Sequence, residues 1–523
     1  MIDTFLNLSN LLAKTILSTT LLASGNIEAR DNQPVNFDLN KSGKNSQSYT
    51  AKAKLSPSVR SLAPNFVCSN VNSIRVDSWR DRKYQTALDK LNPAMIRIPG
   101  GDESNYWDWR KGGTREDLAE LPDGLPPFIS SYKDRLYNSS KVKDWHAGLG
   151  KKRTPLFVLN MLSDSLESQI EMLREARDLG MSVKYIELGN EFYFPTKNYL
   201  AIFPKIEDYT TEANRWIAAI KQEFPQAEIA VMGVAKPGNH VTGRVYRWNG
   251  KVVRSSLPNA DAITIHTYPR NNLVNRDIST AKYPFFQRQD IPYVLEGLFQ
   301  NWNNVSQVIS DFPKNKQIWV TEYNLLEDIH ATEGEKQQRV AGSWLHGIYA
   351  VMMGLLFLED PRIDIACNHM LIGSSQFSSI LANENSFIEP NNRAIKSRPL
   401  SLSASGSSLK MFADATENMN RAQQIDFDNS PLLSKKTKST YPPLYGWAFT
   451  NNKGKKNSLV VNLSSRQIEV DINSLFSQKI NYTTIFASPR ALITRPKKLN
   501  QKTDKVKGKI VLPPYSVTKM FNN

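Results

Sequence analysis

Strand-like and helix-like patterns of apolar residues alternate along the chain from about residue 64 to residue 415. Between residues 166 and 179 apolar side chains recur at spacings of three and four, and Gly180 ends this helical repeat. Eight strands alternating with helices predict a parallel sheet, and over this length they favour a (β/α)8 barrel, spanning 61–415, over an open doubly wound sheet. The predicted strands lie near residues 66, 96, 157, 186, 230, 264, 319 and 365.

The pattern changes after about residue 415. Short runs such as "NSLVVNLSS" and "QIEVDI" follow one another between turn signals. This arrangement is typical of an antiparallel β-sandwich, which we predict over 416–523.

Two further segments precede the predicted barrel. Residues 1–25 contain a short apolar core after Lys14 and the small residues Ala23-Ser24-Gly25, which together predict a signal peptide. Asp3 argues against it, and a frayed N-terminal helix is the alternative. Residues 26–60 are polar and are predicted to form a disordered linker. A signal peptide would make the protein secreted, periplasmic or attached to the cell surface, and without one the protein would be cytoplasmic.

Positive charge is concentrated near the C-terminus. The formal net charge is +16, and residues 417–523 contain 18 lysines and arginines against 6 aspartates and glutamates, which gives +12. An anionic polysaccharide or an anionic cell surface fits such a domain, as does a solvated surface with no partner. Nucleic acid is not expected, because we find no recognition helix or aromatic-rich RNA motif. A membrane span is not expected either, since the apolar run Ile348–Leu358 is shorter than the roughly 20 residues required.

Polar residues cluster where the predicted barrel strands end. In TIM barrels the C-terminal ends of the strands build the active site, so Glu191 and Glu322 would face each other across the mouth of the barrel. Two carboxylates about 5 Å apart are what a retaining glycosidase requires. The polar residues at these strand ends are Arg97, Asn190, Glu191, His266, Tyr268 and Glu322. Aromatic side chains that could contact sugar C–H groups are Trp107, Trp109 and Tyr193. For Trp107 and Trp109 plain packing is an equal alternative.

Four motifs near these strand ends carry a resemblance to a known family: "RIPGG", "LGNE", "IHTY" and "WVTEYN". Together they resemble the clan A glycoside hydrolases, which are retaining enzymes built on a (β/α)8 barrel. Within the clan, the chain looks most like the α-L-arabinofuranosidase and heparanase-like branches. The predicted sandwich and its closing "LPPYSVTKM" point to the same branches, so the resemblance covers roughly residues 60–523.

The resemblance implies a role for most of the clustered polar residues. Glu191 would be the general acid and base, and Glu322 would be the nucleophile. Asn190 would hydrogen-bond the 2-hydroxyl group of the sugar, a contact that strengthens in the transition state. Arg97 and Tyr268 would keep the nucleophile ionised, because a cation and a hydroxyl donor both favour a charged carboxylate.

Two alternatives to an arabinofuranosidase-like hydrolase stay open. One is a heparanase-like endo-β-glucuronidase on acidic glycans, with the basic sandwich as its docking surface. Asp102 and Glu103 add negative charge near the predicted sugar site and argue against an acidic sugar there. The other is a non-catalytic glycan-binding protein on the same fold, against which the intact pair of glutamates counts. His266 is either a substrate contact or a hydrogen-bonded structural histidine.

Histidines and cysteines complete the candidate chemistry. The other histidines show no metal-ligand spacing, so we predict no metal and no other cofactor. Cys68 and Cys367 fall on predicted strands one and eight, which are neighbours where the barrel closes. A disulfide between them is geometrically feasible if the protein is exported. Buried free thiols are the expected state.

Overall fold

The chain forms a closed barrel of strands and a second sheet built mainly from the C-terminal residues. The first strand, β1, spans Thr50–Ser61 and belongs to the second sheet. The predicted signal peptide, residues 1–25, lies outside the described residues. This computed structural model describes residues 50–131, 140–236, 243–254, 259–269, 273–275, 285–326, 336–337, 339–373, 377–382, 386–388, 394–428, 430 and 441–522.

Eight parallel strands form the barrel in sequence order, and the last pairs with the first. Each lies within one residue of its expected position, which confirms the (β/α)8 fold. Both faces of such strands are buried, so their sequences are nearly continuous apolar runs. The strands are β2 (Val67–Asn70), β3 (Met95–Ile98), β4 (Thr154–Leu159), β5 (Tyr185–Leu188), β6 (Glu228–Met232), β7 (Ala262–Thr267), β8 (Gln317–Tyr323) and β9 (Ile363–His369).

Helices connect the strands around the outside of the barrel. The helices are α1 (Arg82–Leu91), α2 (Pro127–Ser130), α3 (Val142–Leu149), α4 (Leu166–Asp178), α5 (Lys197–Ile202), α6 (Ile206–Glu223), α7 (Arg244–Trp248), α8 (Ile291–Ser310), α9 (Trp344–Phe357) and α10 (Ala404–Thr416). Helix α4 matches the predicted apolar spacing, and the hydroxyl of Ser165 caps it by accepting a hydrogen bond from the N–H of Ser168 at 3.2 Å. Helix α9 is buried along its whole length, as its apolar sequence predicts. Within the described residues no helix is long and apolar enough to cross a membrane.

Short strands occur in the loops at the ends of these elements. They span Trp107–Asp108, Gly113–Thr114, Val274–Asn275, Lys336–Gln337, Ile372–Gly373, Ile380–Leu381, Ser386–Ile388, Ala394–Lys396 and Ser401–Leu402. The last of these leads directly into α10, which packs against α9 and α1.

Apolar side chains and one disulfide fill the interior of the barrel. Cys68 on β2 and Cys367 on β9 are paired in the strand register with their Cα atoms 4.0 Å apart, and their sulfur atoms are bonded. The expectation of free thiols is therefore wrong. Closure of the barrel brings the first and last strands together in the register that sets the two cysteines opposite each other, and the sequence alone does not specify that register.

The second sheet has nine strands and curls into a nearly closed sandwich. Its C-terminal strands are β10 (Arg421–Asp428), β11 (Leu444–Thr450), β12 (Lys456–Asn462), β13 (Ile468–Asp471), β14 (Ile480–Phe486), β15 (Asn500–Val506), β16 (Lys509–Leu512) and β17 (Ser516–Phe521). The order is β15-β14-β17-β12-β11-β10-β1-β13-β16. The sheet is mixed rather than purely antiparallel as predicted, because β1 runs parallel to β13 and antiparallel to β10.

Residues 50–60 belong to a strand and not to the linker predicted for them. Ala51 and Ala53 point into the sandwich, while Lys52 and Lys54 are exposed, which is the period-two alternation of a half-buried strand. Alanine contributes little apolar surface, so this alternation resembles a polar tract. The rest of the predicted linker, 26–49, lies outside the described residues.

Strand β1 also joins the sheet to the barrel through Arg60. The buried guanidinium donates to the carbonyl oxygens of Leu358 (3.0 Å), Asp360 (2.9 Å) and Ile363 (2.7 Å). A carboxylate oxygen of Asp364 lies 3.7 Å from it. These acceptors lie just beyond the C-terminus of α9 and at the start of β9, so one side chain fixes β1 to the last helix–strand unit of the barrel.

Deletion of β1 should destabilise the whole protein. A chain lacking residues 1–61 leaves β10 and β13 without their shared neighbour and removes Arg60, so we expect it to lose roughly 3 kcal/mol or more of unfolding free energy. The control is a chain that begins at Thr50 and keeps the strand. Equal stability of these two chains in urea denaturation would contradict this role of β1.

Candidate active site

The polar residues predicted at the strand ends meet at one end of the barrel. Arg97 lies on β3, Glu191 follows β5, His266 lies on β7 and Glu322 lies on β8. Side-chain atoms of Glu191, His266 and Glu322 lie within 4.8 Å of one another. This spacing of the two carboxylates fits a retaining glycosidase, since an inverting enzyme separates them by roughly 6.5–9.5 Å to admit a water molecule.

Glu322 is buried, with partners on both of its oxygen atoms. Nη1 of Arg97 donates to Oε1 at 2.7 Å, and the hydroxyl of Tyr268 donates to Oε2. Burial alone would raise the pKa of Glu322. The charges of His266, His369 and Arg97 and the hydrogen bond from Tyr268 outweigh burial and lower this pKa to about 2. Arg97 remains charged at any working pH, so Glu322 is a carboxylate at neutral pH.

Arg97 is fully buried and holds together residues from several strands. Its Nε donates to Glu187 at 2.6 Å, and its Nη2 donates to Oδ1 of Asn190 at 2.8 Å. Nη1 also donates to Oδ1 of Asn70 at 3.2 Å, and the amide of Asn70 donates in turn to Glu322 at 3.2 Å. Burial would lower the pKa of Arg97, but the charges of Glu187 and Glu322 raise it. The planar guanidinium therefore fixes the relative positions of four acceptors.

Glu191 has a different environment from Glu322. Its Oε1 accepts a hydrogen bond from the hydroxyl of Tyr193 at 2.8 Å and lies 2.7 Å from Nδ1 of His266. In the described part of the chain both contacts fall on Oε1 and none falls on Oε2. Glu191 also has a φ of 55°, a left-handed conformation that is uncommon for a residue with a side chain and recurs at functional sites.

Asn190 is held in one orientation by partners on both ends of its amide. Its Nδ2 donates to Oδ1 of Asp102 at 2.9 Å, while its Oδ1 accepts from Arg97. The side chain of Asn105 fixes the backbone of Asn190, because it accepts from the N–H at 3.1 Å and donates to the carbonyl at 2.8 Å. Burial, followed by the charges of Glu191 and Glu322, raises the pKa of Asp102. Asn190 is thus oriented before any substrate arrives.

The two glycines of "IPGG" allow the loop after β3 to pass close to the carboxylates. A Cβ atom added at Gly101 would lie 2.6 Å from Oε1 of Glu322. A Cβ atom at Gly100, whose φ is +147°, would lie 2.0 Å from Oε1 of Glu103. Both positions therefore exclude any larger residue.

Glu103 is completely buried beside this loop. The amide of Asn72 donates to its Oε2 at 3.4 Å, and its Oε1 has no hydrogen-bond partner among the described residues. Burial is the main cause that raises the pKa of Glu103 to about 8. A backbone hydrogen bond lowers this pKa, and the charges of Glu322 and Asp102 raise it by smaller amounts. Glu103 is therefore mainly neutral at pH 7, whereas the sequence predicts a negative charge at this position.

Trp107 and Trp109 are buried in the apolar core that packs around the barrel. Trp107 stacks on Trp145 with ring centroids 6.2 Å apart. The indole N–H of Trp109 donates to the hydroxyl of Ser168 at 3.1 Å. Both rings are buried in this core, and their contact with a sugar stays a prediction, whereas the third candidate, Tyr193, contacts Glu191.

Several residues of the site were not predicted. Asn70 and His369 are the last residues of β2 and β9, so a search for polar residues at the C-terminal ends of the barrel strands could have found them. Nδ2 of Asn70 lies 2.6 Å from Nδ1 of His369. Phe377 stacks on Tyr268 with ring centroids 6.3 Å apart, but it lies in a loop without a recognisable pattern. Glu187 lies inside β5, where a single carboxylate carries no signal of its role.

Glu191, His266 and Glu322 are the described residues that could hold a metal ion. Two carboxylates and an imidazole are reasonable ligands for a divalent cation. However, the guanidinium of Arg97 already lies 2.7 Å from Glu322 and repels a second cation. The absence of a metal cofactor stays a prediction from the sequence.

The same fold occurs in solved glycoside hydrolases. A family 51 α-L-arabinofuranosidase from Bifidobacterium longum matches with a TM-score of 0.62 and 14% identity, over 90% of this chain and 100% of that one. A family 51 arabinofuranosidase from Xanthomonas axonopodis pv. citri gives 0.63 and 14%, over 90% and 99%. A 4-O-α-L-rhamnosyl-β-D-glucuronidase from Fusarium oxysporum gives 0.54 and 12%, over 91% and 100%. No family model and no curated protein matches the sequence.

These likenesses show that the chain has the fold of clan A glycoside hydrolases, with a TIM barrel followed by a β-domain. They confirm, at the level of the fold, the resemblance to arabinofuranosidases that the four motifs indicated.

Replacement of Glu103 should change how stability depends on pH. Its pKa of about 8 lies above the ordinary value of 4.5, so its stabilising contribution is complete below pH 4.5 and is lost as pH rises towards 8. Glu103→Gln removes this loss and should gain on the order of 3–5 kcal/mol relative to wild type across that range. The measurement is urea denaturation at several pH values. The exposed Glu120→Gln is the control, and a pH-independent difference for Glu103→Gln would refute the assignment.

Proposed function

We propose that the protein is a retaining glycoside hydrolase that acts on oligo- or polysaccharides, with an arabinofuranosidase-like preference for a neutral sugar. The observation that carries this proposal is the pair Glu191 and Glu322. Their side-chain atoms lie within 4.8 Å of each other and of His266, yet their hydrogen-bond partners differ. Two carboxylates in contrasting environments are the requirement for double displacement.

In the first step Glu322 attacks the anomeric carbon, and the bond from that carbon to the leaving oxygen breaks. Glu191 donates its proton to this oxygen, so the leaving group departs as an alcohol. In the second step Glu191 removes a proton from water, the hydroxide attacks the anomeric carbon, and the glycosyl–Glu322 ester bond breaks. The low pKa of Glu322 suits both the attack and the departure of the carboxylate.

The surroundings of the carboxylates support a neutral rather than an acidic sugar. Four of the five N–H groups of Arg97 are used by protein acceptors, and the side chain is fully buried, so it is not placed to bind a substrate carboxylate. Glu322 is ionised, so an added anion would meet repulsion. A heparanase-like glucuronidase is therefore the second candidate.

The test is activity on a panel of aryl glycosides (arabinofuranoside, xyloside, glucoside, galactoside and glucuronide). We expect turnover of a neutral member, a loss of roughly 10⁴-fold or more in Glu322→Ala, and a loss of roughly 10²–10⁴-fold in Glu191→Ala. With an activated leaving group, azide should rescue both variants. Glu191→Ala should give a glycosyl azide of retained configuration and Glu322→Ala one of inverted configuration.

The control variant is Glu120→Ala, which removes an exposed carboxylate and should keep full activity. Glucuronide turnover alone would replace the neutral-sugar preference by the second candidate. Glycan binding without turnover, unchanged in both active-site variants, would replace the hydrolase by a binding protein.

The proposal includes export from the cytoplasm. The Cys68–Cys367 disulfide supports it, because such bonds persist in oxidising compartments and are rare where thiols are kept reduced. We expect protein recovered from its native cells to lie outside the cytoplasm, to lack about the first 25 residues, and to show no free thiol after denaturation. A cytoplasmic full-length chain with two free thiols would contradict this location.

A further inference from the structure

A basic groove lies between the barrel and the C-terminal sheet. Its volume is about 620 Å³, and three separate segments line it: helix α1, the loop 398–402 before α10, and the turn 495–497. The N–H of Arg398 donates to the carbonyl of Thr494 at 3.4 Å, which joins the second and third segments. The residues of the candidate active site do not line this groove.

The charge in the groove is of one sign. Lys83, Lys90, Arg398, Arg495 and Lys497 line it, and no aspartate or glutamate is among the described residues that line it. Within the described part of the chain none of these five side chains forms an ion pair. All five residues are exposed, so their charges repel one another with only solvent to neutralise them.

The nearest acidic residues in sequence are already engaged elsewhere. Asp89, next to Lys90, pairs with Arg153 at 2.6 Å. Asp81 accepts a hydrogen bond from the backbone N–H of Lys83 at 2.6 Å and caps α1. The positive charge of the groove is therefore available to a ligand.

We propose that this groove binds an anionic polysaccharide through its carboxylate or sulfate groups. Five cations from three segments present several charges to one chain, as a polyanion with regularly spaced groups requires. Pro399, Leu400 and Pro496 provide a small apolar surface for the sugar rings. Among the described residues no aromatic ring lines the groove, which disfavours single-stranded nucleic acid, since its bases bind by stacking on such rings.

The groove would hold a polysaccharide on the protein without any chemical step, so this inference does not depend on the proposed hydrolytic function. It also distinguishes two kinds of glycan contact. The active site favours a neutral sugar, whereas the groove favours acidic groups of the same polymer or of a neighbouring one.

The test is a binding titration of the full-length protein with polygalacturonate and with dextran sulfate, with a neutral arabinan and a single-stranded oligonucleotide for comparison. The groove variant is Lys90→Gln/Arg495→Gln/Lys497→Gln. The matched control is Lys479→Gln/Lys505→Gln/Lys507→Gln, which removes three exposed positive charges from the C-terminal sheet, outside the groove. Each titration is run at about 50 mM and about 500 mM salt, because screening weakens exposed charge pairs.

We expect at least one of the two polyanions to bind at low salt and the groove variant to weaken that binding roughly tenfold or more, with a change of less than about threefold in the control. Equal losses in the two variants would overturn the proposal, because net charge and not the groove would then explain binding. So would the absence of polyanion binding by the wild type, or tighter binding of the oligonucleotide through the same residues.

Discussion

The buried guanidinium of Arg97 is the interaction on which the candidate active site depends. It contacts Asn70, Glu187, Asn190 and Glu322, which lie on or directly after three different strands of the barrel. An arginine can do this because its five N–H groups point in fixed directions within one plane. The strand ends are thus held in a mutual arrangement that no single hydrogen bond could define, and the ionised state of Glu322 follows from that arrangement.

Such a cluster is organised for chemistry more than for stability. Removing an arginine and two glutamates from water carries a desolvation cost that their attraction repays only when the geometry is good. Here the cost is offset by four hydrogen bonds to one guanidinium. The result is a preorganised site. Glu322 is charged and Asn190 is oriented by Arg97 and Asp102, so neither side chain must rearrange when a sugar binds.

The sequence predicted the elements whose signal is local. Barrel strands are continuous apolar runs, and polar residues that follow them, such as Glu191, mark the active-site end. Strand β1 was not predicted, because alanine contributes too little apolar surface to mark the buried positions of an alternating strand. Strand β15 was not predicted, because nearly all its residues are exposed and only its pairing with β14 defines it. Trp107 could not be assigned to core or site, because an aromatic residue near a strand end suits both. The ion pair of Glu187 with Arg97 could not be predicted, because only the folded barrel brings the two side chains together.

Closure of the barrel links the disulfide to Glu322. Strands β2 and β9 pair in a register that sets Cys68 opposite Cys367 and, two residues further along, Asn70 opposite His369. Asn70 then donates to Glu322. Because a slip of one residue would turn every side chain of a strand to the other face, the contact between Asn70 and Glu322 exists in this register alone. The disulfide holds that register where the barrel closes, between its first and last strands, which are far apart in sequence.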